Sequence, residues 1–145
     1  MTPADSTPAV VIRRVIPVPR ERVFAAWLDP VSVAKWMRPG DVTSVTVEID
    51  ARVGGAFRIV MSHGRGDPEH WGEYVAIDPP SFLSFTWMSA STNREPTLVT
   101  VEFHERNGGT ELVLTHRSLP EPQIEPHRKG WGDIVRKLGE FLTLG

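Results

Sequence analysis

Residues 124–144 read IEPHRKGWGDIVRKLGEFLTL. Apolar side chains stand at Ile124, Trp131, Ile134, Val135, Leu138, Phe141 and Leu142. Counted from Trp131 the steps are 3, 4, 7, 10 and 11, the rhythm of one helical face. Asp133, Arg136, Lys137 and Glu140 take the opposite face. There Asp133 with Lys137, and Arg136 with Glu140, make i,i+4 pairs that add a few tenths of a kcal/mol each. Pro126 suits a first turn, where its missing N–H costs nothing. Gly130, Gly132 and Gly139 lie inside the pattern, each about 1 kcal/mol worse than alanine. Packing of the Trp131 face must therefore hold this helix, with the glycines expected to let another backbone come close. At 1.5 Å per residue it is about 30 Å long, enough to cross a whole sheet.

Working outward from that helix, the period changes to two. Val45, Val47 and Ile49 alternate with polar residues, as do Phe57, Ile59 and Met61. Leu83, Phe85 and Trp87 repeat the pattern, then Val99, Val101 and Phe103, then Leu112, Leu114 and His116. Trp71–Ile77 supplies a further strand, after a loop over His63–His70 that carries Gly64, Gly66 and Pro68. Asn107-Gly108-Gly109 is a hairpin turn. At the N-terminal end Val10–Val18 reads as a strand closed by Pro17 and Pro19. Two short helices follow, Arg20–Leu28 and, with Asp29 as cap, Pro30–Met37.

The order predicts an α+β fold. Hairpin-length links make the seven strands antiparallel, and clean alternation leaves one sheet face wet and the other covered. Only the C-terminal helix is long enough to cover it. A curved sheet and a straight helix cannot touch everywhere, so an apolar cavity is expected between them.

Composition narrows the function. The chain has 145 residues, 40% of them hydrophobic and 23% charged, which fits a single domain over 10–145 behind a disordered lead at 1–9. A net charge of −2 offers no basic surplus for nucleic acid or an anionic membrane. There is no cysteine, no run of 18 apolar residues and no signal-peptide pattern at the N-terminus. A cytoplasmic protein is expected.

The stretches Pro19-Arg20-Glu21-Arg22-Val23-Phe24-Ala25-Ala26-Trp27, Lys35-Trp36, Gly54-Gly55-Ala56-Phe57-Arg58 and Gly72-Glu73-Tyr74 occur in a telling order. Ile77-Asp78-Pro79-Pro80, Leu83-Ser84-Phe85-Thr86-Trp87, Thr110-Glu111-Leu112 and Gly130-Trp131 continue it. Together they resemble the START-like, or SRPBCC, helix-grip superfamily of the birch-pollen-allergen type. Within it the chain is similar to the family of the C-terminal domain of the activator of the 90-kDa heat-shock protein ATPase. The resemblance implies a helix-grip fold: a curved seven-stranded antiparallel sheet, two short helices between its first and second strands, and a long C-terminal helix over it. It also implies a small hydrophobic ligand or a chaperone as partner. The eukaryotic activators carry an additional N-terminal chaperone-binding domain that nothing before Val10 matches, so no strong stimulation of a chaperone by this chain alone is expected.

Catalytic signatures are sparse. His63 and His70 flank a loop with Asp67 and Glu69, but flexible Gly-Pro sequence separates them, so no metal is expected, nor any cofactor. Glu73 and Tyr74 fall on opposite strand faces. His116 sits on the apolar register after Leu112 and Leu114, as a hydrogen-bonded core residue or a polar handle for a ligand. Five tryptophans stand out: Trp27, Trp36, Trp71, Trp87 and Trp131. Trp87 and Trp131 are placed to face the gap and Trp36 to border its mouth. Trp36, Phe57, Met61, Phe85, Trp87, Phe103, His116 and Trp131 are therefore the candidate ligand-binding residues, with no catalytic set. The reading is non-covalent binding of a small hydrophobic or aromatic ligand rather than an enzyme. The alternatives are a chaperone-interacting protein, or a cyclase or hydrolase using His116.

Overall fold

The first strand, β1 (Val10–Ile16), stops where Pro17 can no longer supply a ladder N–H. The structure, a computed structural model, describes residues 9–144; all of the expected lead except Ala9 falls outside that range. Pro19 opens α1 (Arg20–Ala26), its carbonyl accepting from the Val23 N–H at 3.2 Å. The Asp29 carboxylate caps α2 (Pro30–Trp36), accepting from Val31 N–H at 3.2 Å and from the Ser32 hydroxyl at 2.9 Å.

Six strands follow: β2 (Ser44–Ile49), β3 (Ala56–Ser62), β4 (Glu69–Asp78), β5 (Phe82–Trp87), β6 (Thr97–Arg106) and β7 (Gly109–Arg117). Every pairing is antiparallel, in the spatial order β1-β7-β6-β5-β4-β3-β2. Asn107 and Gly108 both take positive φ, 53° and 83°, so β6 and β7 are joined by the two-residue turn that matches strand twist. β4 begins two residues earlier than the turn residues suggest, which takes His70 out of the loop and onto the inward face with Gly72 and Tyr74.

The sheet is strongly curled. β1 and β2 are its two edges, yet the long helix α3 (Ile124–Thr143) packs on β1, α2 packs on β2, and α2 touches α3. Helices thus close the gap between the edges of a half-barrel. A bulge contributes: Tyr74 pairs with Phe85 and Ala76 with Ser84, leaving Val75 unpaired. So does Gly72, where a Cβ would lie 2.0 Å from the Thr86 carbonyl oxygen and 2.8 Å from the Phe57 ring.

α3 buries Trp131, Ile134, Val135, Leu138 and Leu142, the face its periodicity requires. The outer pairs form as expected, Arg136 to Glu140 at 2.8 Å and Lys137 to Asp133 at 3.5 Å. The glycines behave otherwise. A Cβ on Gly130 would meet only Pro39 Cβ at 3.8 Å, and one on Gly132 only Ile12 Cδ1 at 3.9 Å. The nearest atom to one on Gly139 is Arg14 Nε at 3.1 Å. These neighbours are side chains, and no close backbone is what the glycines admit. The element that does come close is the loop after α2, held by polar tethers: Gly40 N–H donates to Asp133 Oδ2 at 2.6 Å, and the Lys137 ammonium donates to the Arg38 carbonyl. No helix among the described residues is long and apolar enough to cross a membrane.

Candidate functional site

The space expected between sheet and helix is largely occupied by rings. Trp87 on β5 lies 5.0 Å from Trp131 on α3, centroid to centroid. Trp27 stacks on Trp131 at 6.5 Å and meets Trp36 edge-on at 4.7 Å. Phe57 meets Phe85 at 5.5 Å, and Phe24 meets Phe103 at 5.1 Å. Such contacts add to the area these rings bury. Between Trp27, Phe57, Phe85 and Trp87 about 20 Å³ remains, room for a water and no more.

A larger pocket, about 230 Å³, opens at the N-terminal end of α3. Met61, His70 and Trp87 from the sheet form one wall. Pro126, His127, Gly130, Trp131 and Ile134 from α3 form the other, and Pro39 of the tethered loop stands at the rim. Asp133 anchors that loop. Partial burial works against its charge, but the Gly40 N–H, Arg136 and Lys137 prevail and hold its carboxyl below the usual range.

Three histidines surround the two central tryptophans. His116 is fully buried. The Trp131 indole Nε1–H donates to its Nδ1 at 2.9 Å. An indole can only donate, so Nδ1 carries the lone pair and the neutral ring bears its proton on Nε2. Nε2 lies 2.7 Å from Thr97 Oγ1, and the Thr97 hydroxyl donates to the Trp87 carbonyl at 2.6 Å. The chain is fully satisfied and ties β5, β6, β7 and α3 together. Burial, reinforced by nearby His127, pushes the His116 pKa down to about 3. With both nitrogens engaged, His116 is a neutral structural group without a free atom for a ligand or a proton.

His127 packs edge-on to His116 at 5.3 Å. Its Nδ1–H donates to the Gln123 carbonyl at 2.9 Å, which leaves Nε2 as an acceptor. His70 lies 4.9 Å from the Trp87 ring. Burial first, then the neighbouring His127, pushes its pKa down to about 4. His70 Nδ1 and Trp87 Nε1 are both buried and without a hydrogen-bond partner, as are Trp27 Nε1 and Trp36 Nε1 deeper in the core.

The eight sequence candidates divide accordingly. Met61, Trp87 and Trp131 line the pocket. Phe57 and Phe85 line the narrow void beside Trp87. Trp36 and Phe103 are fully buried in ring packing, and His116 stands behind Trp131. Sequence reasoning missed His70 and His127. Extending the β4 alternation back from Tyr74 and Gly72 reaches His70, and stepping back one turn from Trp131 reaches His127.

Comparison with known proteins bears on this geometry. The model of the family "Activator of Hsp90 ATPase homolog 1-like protein" matches residues 17–143. The chain belongs to this family. Activator of 90 kDa heat shock protein ATPase homolog 1 of Mus musculus is 29% identical over 90 residues, which is 61% of this chain and 25% of that protein. The human protein of the same name matches equally. This member of the family thus aligns with about a quarter of the length of the curated relatives it matches. Among solved structures, protein CV1439 from Chromobacterium violaceum superposes with a TM-score of 0.83 at 23% identity, covering 94% of this chain and 98% of that one. The AHSA1-like protein from Aeromonas hydrophila superposes with a TM-score of 0.76 at 23% identity, covering 93% and 92%. These likenesses agree with the helix-grip fold described above: a curled seven-stranded sheet gripping one long helix.

Proposed function

We propose that this domain binds a small hydrophobic or aromatic molecule, without covalent chemistry, in the pocket between Met61, His70 and Trp87 on the sheet and His127 to Ile134 on α3. The observation that carries the reading is the pocket itself, about 230 Å³ between the faces of Trp87 and Trp131 with Met61, Pro126 and Ile134 around them. A planar hydrophobic probe should quench tryptophan fluorescence through Trp87 and Trp131. Amide and indole shifts in an NMR titration should cluster on the residues around that pocket. Shifts mapping to another surface, or no binding at all, would sink the reading.

The second reading is action on a heat-shock chaperone. It is supported by the 29% identity to a region of the mammalian activators, and the partner of those whole proteins comes to this chain only as a proposal. Steady-state chaperone ATPase turnover with and without the purified chain decides it. A several-fold rise would favour this reading, and unchanged turnover would remove it.

A further inference from the structure

We propose that residues 39–41, between α2 and β2, are the gate of this pocket: a strap latched to α3 by polar tethers that swings away to admit a ligand. The inference rests on the ligand-binding reading above and adds how the site is entered and left.

Two open spaces meet at the strap. The inner pocket has Pro39 and Gly130 on its rim, and an outer groove runs past Arg128, Lys129 and Gly132 on the exposed side of α3. Pro39 and Gly130 are the residues the two spaces have in common. Apolar packing is thin at that seam. A Cβ on Gly130 would touch Pro39 Cβ at 3.8 Å, an ordinary van der Waals contact, and the glycine leaves it unmade. No backbone neighbour demands a glycine there, and alanine is the better helix former.

The strap is held instead by polar groups. Gly40 N–H donates to Asp133 Oδ2 at 2.6 Å. The Lys137 ammonium donates to the Arg38 carbonyl and, at 3.4 Å, to the Gly40 carbonyl. From the loop after β3, the Arg65 guanidinium forks onto the Asp41 carboxylate at 2.9 and 3.2 Å. The Asp133 and Lys137 side chains are each 25% exposed, and Arg65 and Asp41 are mostly exposed. Water competes for such tethers and salt screens them, so each adds little to keeping the strap shut. Its two ends are pinned together. Arg38 Nε donates to the Ala34 carbonyl of α2 at 2.9 Å, and Nη1 donates to the Thr43 carbonyl just before β2 at 3.1 Å. The residues between can swing about that staple.

The rest of the rim is built to stay. Ser91 stands on a tight turn closed by reciprocal caps: its N–H donates to Ser89 Oγ at 3.1 Å, and Ser89 N–H donates to Thr92 Oγ1 at 3.1 Å. Ser89 and Thr92 are both buried. His127 is fixed within the first turn of α3 by its bond to the Gln123 carbonyl. The weakly attached part of the rim is the strap.

The test is exchange NMR of the full chain with fluorobenzene, which gives the affinity and both rate constants. Gly130→Ala supplies the missing contact with Pro39, so association and dissociation should both slow by about two-fold or more, with affinity changed less than either rate. Asp133→Ala and Lys137→Met each remove a tether, so both rates should rise by about three-fold or more. The two kinds of variant thus move the rates in opposite directions. Gly132→Ala brings the same helix preference but meets Ile12 instead, and its rates should match the wild type. Fluorobenzene is uncharged, so raising salt from about 0.05 M to about 0.5 M acts on the tethers, and dissociation should speed up. That arm needs no substitution and stands even if a variant fails to fold. Rates that ignore Gly130→Ala, both tether variants and salt overturn the gate and place entry past Ser91 and Pro126. Slowing in Gly132→Ala equal to that in Gly130→Ala also overturns it, since helix stiffness would then be the cause. If fluorobenzene does not bind the wild type at all, the ligand-binding reading itself falls.

Discussion

Lowering the pH from 7 to 5 should destabilise the fold through its buried histidines. His70 and His116 both move from an ordinary value of 6.5 in the unfolded chain to lower folded values, about 4 and about 3, chiefly because burial disfavours the charged ring. The unfolded chain therefore takes up protons first. Stability from these groups is complete above about pH 6.5 and falls as pH drops toward the folded values. At pH 5 an unfolded histidine is almost fully protonated while both folded rings remain neutral. Linkage then gives a loss of about 2 kcal/mol per ring, about 4 kcal/mol for the pair. That is a large share of the roughly 5–15 kcal/mol that holds a typical domain. His127, also lowered by burial, acts in the same direction. Asp41, whose carboxyl is held down first by its hydrogen bond from Arg65, and Asp133 stay ionised in both states over this window, so they do not mask the effect. Urea melts followed by tryptophan fluorescence at pH 7, 6 and 5 measure the loss directly. His70→Phe preserves the ring against Trp87 and should remove about half of it. A total loss below about 1 kcal/mol between pH 7 and 5 would refute the reasoning, because it would mean that the histidines protonate in place. So would an unchanged pH slope in His70→Phe.

Three further outcomes follow from packing. Gly132→Ala should raise stability by about 1 kcal/mol in a thermal melt, since alanine is the better helix former and the new methyl meets only Ile12 at 3.9 Å. Gly72→Ala should cost at least 2 kcal/mol, as about 1–3 kcal/mol or more is usual for overpacking and its methyl would fall 2.0 Å from the Thr86 carbonyl oxygen. Phe24→Ala, which strips the edge-on partner of Phe103, should cost about 3–5 kcal/mol in urea melts while leaving planar-probe affinity unchanged in the folded protein.

Element order and the antiparallel pairing of successive strands from β2 to β7 were legible in the chain because they depend on local rules, whereas the pairing of β1 with β7 joins residues far apart in sequence. Alternation at Phe57, Ile59 and Met61 and the three- and four-residue steps after Trp131 fix which side of each element is apolar. Asp29-Pro30 and Asn107-Gly108 mark ends through backbone chemistry that needs no distant neighbour. Phe103, Leu112, His116 and Trp131 could all be placed inside on that basis, and each is buried. Whether the interior would be hollow was a different matter. It depends on how far the sheet curls at Val75 and Gly72, and on whether rings from α1, α2, β3, β5 and α3 meet across the gap. They meet, so the open volume is displaced to the end of α3, where His70 and His127 face each other across residues 57 positions apart in the chain. The role of His116 was decided the same way. Its partners, Thr97 and Trp131, come from another strand and from the helix, and only their simultaneous approach turns an inward histidine into a neutral, fully bonded strut. Periodicity reports which face a side chain takes. The volume and hydrogen-bond partners it finds there are properties of the assembled layers.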